Sequence, residues 1–124
     1  MVSTIQIEID IQENTLICGR NGGSTYGYAG TRITWRSRRT DLPFTLEFFR
    51  LGLETDGQID VSKLARWPFT DEPPRGDIVG PRTEFSATLR RHEGPDGLEE
   101  LAAYEYFLAV RNLRLDPIII VDKT

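Results

Sequence analysis

STIQIEIDIQ, residues 3–12, decides the fold class. Ile5, Ile7, Ile9 and Ile11 fall on one side of an extended chain, and Gln6, Glu8, Asp10 and Gln12 on the other. Period two with β-branched residues on one face is the pattern of a half-buried strand. Glu13 and Asn14 then turn the chain, and Leu16 to Cys18 read as a second short strand.

Working outward, the same alternation returns. In Thr31 to Arg39, Ile33 and Trp35 point one way, and Arg32, Thr34, Arg36 and Arg38 the other. Phe44 to Leu51 places Phe44, Leu46 and Phe48 on one face and Phe49 and Leu51 on the other, which reads as a strand covered on both sides. Further strands are expected over Glu84–Arg91, Tyr104–Arg111 and Ile118–Val121. GRNGGSTYGYAG (19–30) holds five glycines and is a loop with an extended piece at Tyr26 to Tyr28. DEPPRGDIVGP (71–81) holds three prolines and two glycines and reads as an irregular surface loop. Two helical scraps are expected. One runs through Leu64 to Trp67, capped by Asp60 or Ser62 and stopped by Pro68. The other runs from Leu98 to Ala103, with Asp96 as N-cap and Glu99-Glu100 in its first turn.

About seven strands with one or two short helices imply a single domain over residues 1–124, an all-β antiparallel sandwich, with a closed barrel as the alternative. A parallel α/β fold needs crossover helices of ten or more residues, and the pattern offers no set of them. The predicted core is Ile5, Ile7, Ile9, Ile11, Ile33, Trp35, Phe48, Phe85, Leu89, Tyr106, Leu108 and Ile119.

The chain has 124 residues, one Cys and one His. Cys18 alone excludes an internal disulfide and a CxxC zinc site, and His92 alone excludes any chemistry that needs two imidazoles. The net charge of −4 argues against nucleic acid as a partner. Thirteen of the fifteen basic residues are Arg, whose planar fork suits carboxylates and phosphates. No apolar run reaches membrane-span length, and acids interrupt the opening MVSTIQIEID where a signal peptide would be apolar. One free thiol then points to the cytoplasm.

Residues 28–49, YAGTRITWRSRRTDLPFTLEFF, resemble the middle of cupredoxin-like domains. YEYFLAV (104–110) followed by LDPIIIV (115–121) resembles the last two strands of small cupredoxin-like domains that bind no copper. Immunoglobulin-like sandwiches share the Trp-in-strand pattern. The resemblance implies the fold and not electron transfer. Blue copper takes two His and a Cys, whereas the matching regions read Pro43-Phe44-Thr45 and Asn112 to Pro117. No metal and no cofactor are expected.

Other motifs fall short of a site. Glu54 to Asp60 imitates the middle of an EF-hand loop, but Lys63 stands where a bidentate Glu is required. Gly22-Gly23-Ser24-Thr25 lacks the ending and the helix of a phosphate loop. Arg75-Gly76-Asp77 is a tripeptide that arises readily by chance. His92, beside Arg90 and Arg91, reads as a surface histidine, and Cys18 as a packed, inert thiol.

Two surfaces remain. Arg32, Arg36 and Arg38 project from one strand face with Arg39 beside them, a positive stripe for an acidic segment or a phosphate. Tyr26, Tyr28, Trp67 and Phe69 sit in the 19–30 and 68–82 loops and could stack on a ligand. The first favours a non-catalytic interaction module with a protein partner or self-association. The second favours a small ligand-binding, sugar-binding or hydrolytic domain.

Overall fold

A computed structural model describes residues 3–52 and 66–124. Ten strands follow one another: β1 (Thr4–Gln12), β2 (Thr15–Cys18), β3 (Thr25–Tyr28), β4 (Arg32–Ser37), β5 (Phe44–Leu51), β6 (Ile78–Arg82), β7 (Glu84–Thr88), β8 (Ala102–Val110), β9 (Leu113–Leu115) and β10 (Ile118–Asp122). They form two sheets packed as a sandwich. One is four-stranded, in the order β2-β1-β4-β7. The other is six-stranded, in the order β3-β10-β8-β5-β6, with β9 paired to β8.

The sheets are mixed, which corrects the expected all-antiparallel pairing. β1 runs parallel to β4, with Ile7 opposite Trp35, and β3 runs parallel to β10. The cause is one edge of the chain that changes sheets. β2 pairs with β1 from Cys18 to Thr15, Gly19 donates its N–H to Glu8 O at 2.8 Å, and the chain then crosses to the other sheet as β3. Such crossings make the corners of sandwiches.

The alternation read from the sequence sorts the residues as expected. Ile7, Ile9, Ile33, Trp35, Phe48, Leu89, Tyr106, Leu108 and Ile119 are buried, and Ile5, Ile11 and Phe85 pack half-buried against them. Trp35 is the centre. Its ring lies 5.6 Å from Tyr106, 5.9 Å from Phe48 and Phe85, and 6.0 Å from Phe69. Its Nε1 donates to Tyr106 Oη at 3.2 Å, and Tyr106 Oη donates to Gly23 O.

Gly23 is therefore pinned. Its φ is +91°, and a Cβ there would stand 2.7 Å from both Cys18 Sγ and Tyr106 Oη. Gly23→Ala should lower stability by about 2 kcal/mol, since the left-handed backbone and the overlap both oppose the methyl. An unchanged denaturant midpoint would show that the crossing gives way freely.

Three further expectations are corrected. Leu98 to Ala103 forms no helix. Asp96 Oδ1 accepts from Leu98 N at 3.0 Å in a local turn, Glu93 bridges Glu99, and Ala102 opens β8. The Asp side chain that suits a helix start suits a turn equally well. The 71–81 loop is not wholly irregular, because Ile78–Arg82 pairs with β5. The strands number ten rather than seven, since the glycine-rich and proline-rich segments contribute short ones. The EF-hand-like run Glu54 to Asp60 and half of the Leu64–Trp67 segment, with its expected caps Asp60 and Ser62, lie outside the described residues. No helix among the described residues is long and apolar enough to cross a membrane.

Candidate functional site

β4 does carry Arg32 and Arg36 on its solvent face, with Arg38 just beyond its end. The neighbouring strands answer them with acids. Arg36 pairs with Glu84 of β7 at 3.1 Å, Arg38 with Glu8 of β1 at 3.5 Å, and Arg39 with Asp10 at 3.4 Å. Arg32 donates to Thr88 Oγ1 at 3.5 Å. The expected positive stripe is thus a mosaic of alternating sign. Each exposed pair is worth only about 0–1 kcal/mol, so the pairs hold the face loosely while cancelling its field.

The four loop aromatics are not brought together. Phe69 is buried on Trp35, and Trp67 packs beside it with ring centroids 5.2 Å apart, its Nε1 donating to Asp71 O at 2.6 Å. Both serve the core and form no open stacking platform. Tyr26 and Tyr28 are exposed on β3, edge to face at 6.0 Å, and Tyr26 Oη donates to Asp122. Phe69 bridges to Leu89, so its loop is drawn inward as a short extra strand pairing.

Four of the five described groups with displaced pKa values lie in the interior; the fifth, Glu99 at the surface, is held low by the backbone and side-chain hydrogen bonds it accepts from Thr124. Desolvation pushes the Cys18 thiol up to about 12, against the weaker effect of its hydrogen bond with Tyr106. It also raises the Tyr104 and Tyr106 phenols. His92 is pushed down to about 4, first by burial and then by the charges of Arg90 and Arg50. All four shifts favour the neutral form in a dry interior. A poised acid or base faces a cleft, and none of these groups does. The surface position expected for His92 is corrected. It is 3 % exposed, and its Nε2 hydrogen-bonds Tyr104 Oη. His92 opens a small hairpin over residues 92–100, with Glu100 N donating to His92 O at 2.8 Å and Gly94 N to Leu98 O at 2.9 Å. No cluster of three His, Cys, Asp or Glu that could hold a metal occurs among the described residues.

Two features remain that sequence reasoning passed over. The first is the outer face of the six-stranded sheet. Tyr26, Tyr28, Leu51, Ile78 and Ile118 make up five of the seven exposed large hydrophobic residues described, and all five project from this face. The register aligns Tyr26, Ile120, Ala103 and Leu51 in one row across four strands. Beside that row, Phe49 and Phe107 pack at 4.9 Å. Arg114 lies over Phe107 at 4.4 Å, and Arg66 over Phe49 at 5.6 Å while pairing with Glu47 and Asp77. The signal was present in the sequence. The outward positions of β1 and β4 are polar, and those of β5, β8 and β10 are mostly apolar.

The second is a groove of about 760 Å³ at the sheet-changing edge. Ile5, Ile7 and Glu8 of β1 line one side, Gly19 to Asn21 its end, and Tyr26 of β3 the other side. Nothing in the sequence marked it, because it exists only where β2 and β3 part company. No protein-family model matches the chain, and no curated protein does.

Proposed function

We propose that the protein is a non-catalytic interaction module that docks another protein on the outer face of its six-stranded sheet. The observation that carries this is the concentration of five of the seven described exposed large hydrophobics on one sheet face. A soluble surface scatters such residues, and a contiguous set marks an interaction site. Glu105 stands within the set, between Ile118 and Phe49 in register, and makes no ion pair among the described residues. The partner therefore presents an apolar surface with a basic residue for Glu105. A second copy would bring a second Glu105 toward a body of net charge −4, which opposes self-association here.

The enzyme and sugar-binding reading loses its support, because Trp67 and Phe69 pack inward, away from Tyr26 and Tyr28. The Trp35-centred core between two sheets is what supports the likeness to copper-free cupredoxin-like and immunoglobulin-like domains. The buried free thiol of Cys18 favours a reducing compartment, the cytoplasm.

A photo-crosslinking residue at Ile118, introduced in the native cells, should capture a discrete protein. The same residue at Thr34, on the polar face, should capture none, and Glu105→Lys should abolish the Ile118 product. Equal capture from both faces, or none from Ile118, would remove the basis of this reading.

A further inference from the structure

The hydrogen-bond parity of β1 leaves part of one edge unpaired. Ser3 O accepts from Arg32 N, and Ile9 O from Arg38 N, both at 2.9 Å. The odd-numbered residues of β1 therefore turn their N–H and C=O groups toward β4, and the even-numbered ones turn away from it. On that far side, Asp10 and Gln12 meet Ile17 and Thr15 of β2, and Glu8 O meets Gly19 N. Beyond Gly19 the chain has left for the other sheet, so Thr4 and Gln6 face no strand among the described residues. The groove between β1 and β3 lies along this stretch.

We propose that the open edge of β1, from Thr4 to Glu8, receives a single extended peptide strand supplied by another protein. This surface adjoins the outer sheet face at Tyr26, but the open backbone edge lies on β1, and neither proposal rests on the other. The chemistry of the edge fixes the class of ligand. Thr4 and Gln6 repeat a donor and an acceptor roughly 7 Å apart, which only another extended backbone matches over several residues. The edge lacks the usual guards. Its sequence, Thr4-Ile5-Gln6-Ile7-Glu8, holds no Pro and no Lys, and the register with β4 runs unbroken from Thr4 to Ile9. Ile5 and Ile7 line the groove and meet alternate apolar side chains of the incoming strand. Glu8 is already engaged by Arg38 and Asp10 by Arg39, whereas Arg20, also lining the groove, makes no ion pair among the described residues. An acidic residue at the end of the peptide that reaches Arg20 completes the match.

The free edge is too short for a second copy. Antiparallel pairing of two β1 strands about Gln6 sets the incoming Ser3 opposite Ile9, where Cys18 already sits. A thin peptide that ends or bends at Gly19 avoids this overlap.

The test uses the full chain and an eight-residue peptide of two aspartates followed by alternating threonine and valine. Its control is the same peptide N-methylated at alternate residues, on the edge that would meet β1. In amide NMR spectra, titration of the first peptide should shift Thr4, Gln6 and Glu8, and should slow hydrogen exchange at Gln6 at least tenfold. N-methylation should weaken binding at least tenfold. Gln6→Pro removes the N–H that faces the open edge and none that bonds β4, a position where an edge strand tolerates proline, so it should abolish binding with the circular dichroism spectrum unchanged. Should that variant not fold, the methylated peptide on the natural chain decides alone. Equal binding of both peptides, or shifts confined to other strands, would overturn the proposal. So would a Gln6 amide already protected in a concentration-dependent dimer, since the occupant would then be a second copy. Crosslinking at Ile118 reports on the other face and is unaffected by any of these results.

Discussion

Trp35→Ala should cost about 3–5 kcal/mol of folding stability, as expected for truncating a buried aromatic residue. Trp35 is fully buried and touches Phe48, Phe69, Phe85 and Tyr106, which belong to both sheets and to the segment before β6. Removing the indole takes away its transfer energy and leaves a cavity that four rings held in several backbones cannot fill together. It also frees Tyr106 Oη of a donor while its bond to Gly23 O keeps it in place. A domain of this length has roughly 5–15 kcal/mol in total, so the variant should unfold in far less denaturant or fail to accumulate. Phe85→Ala, on the half-buried side of the same cluster, should cost less. Equal losses at the two positions would mean that Trp35 is not the centre of the core.

Acid should destabilise the protein through His92 before its carboxylates titrate. In the unfolded chain the imidazole takes up a proton near its ordinary value of about 6.5. In the fold it stays neutral down to about 4, first because it is buried and then because the guanidinium charges of Arg90 and Arg50 oppose a proton on it, while its Nε2 hydrogen-bonds Tyr104 Oη. Between these values the unfolded state binds more protons, so stability rises with pH. The contribution is fully present above about pH 7, falls through the window between 6.5 and 4, and is gone below it. The linkage gives a loss of about 2 kcal/mol from pH 8 to pH 5. Denaturant titrations should show this slope in the natural chain and not in His92→Gln. Because His92 is the only histidine, its ring protons also report directly. They should keep their neutral shifts to pH 5, and an imidazole that titrates near 6.5 would refute the buried placement.

The sequence reading and the structure diverge at identifiable residues. Alternation in β1 and β4 correctly assigned which side chains go inward, because successive side chains of a strand must face opposite ways. In β5 it separated the two faces, but among the described residues the cover expected on both is missing from the outer one, where Leu51 is exposed. It also put Arg32, Arg36 and Arg38 on a common solvent face. It could not show that Glu8 and Glu84 sit beside them, because those acids lie 28 residues before and 48 residues after Arg36 in the chain. Trp67 and Phe69 looked like loop aromatics because they follow an irregular segment and flank Pro68. Their burial against Trp35 and Phe48 depends on the second sheet being in place. His92 looked solvated because Arg90, Arg91 and Glu93 surround it in sequence, yet its ring is buried and bonds Tyr104, which lies twelve residues further on in β8.

The amino-acid sequence by itself determined the all-β class, most of the strand-borne core and the single cysteine and histidine that exclude an internal disulfide and two-imidazole chemistry. These follow from local rules, in which side-chain type and period two act within a few residues. Tertiary structure alone decided strand order, the parallel pairings of β1 with β4 and β3 with β10, and the split edge that leaves Thr4 and Gln6 open. It also decided which outward faces are compensated and which stay apolar. Those properties depend on which distant segments meet, and that is settled by how the whole chain buries Trp35 and its neighbours at once.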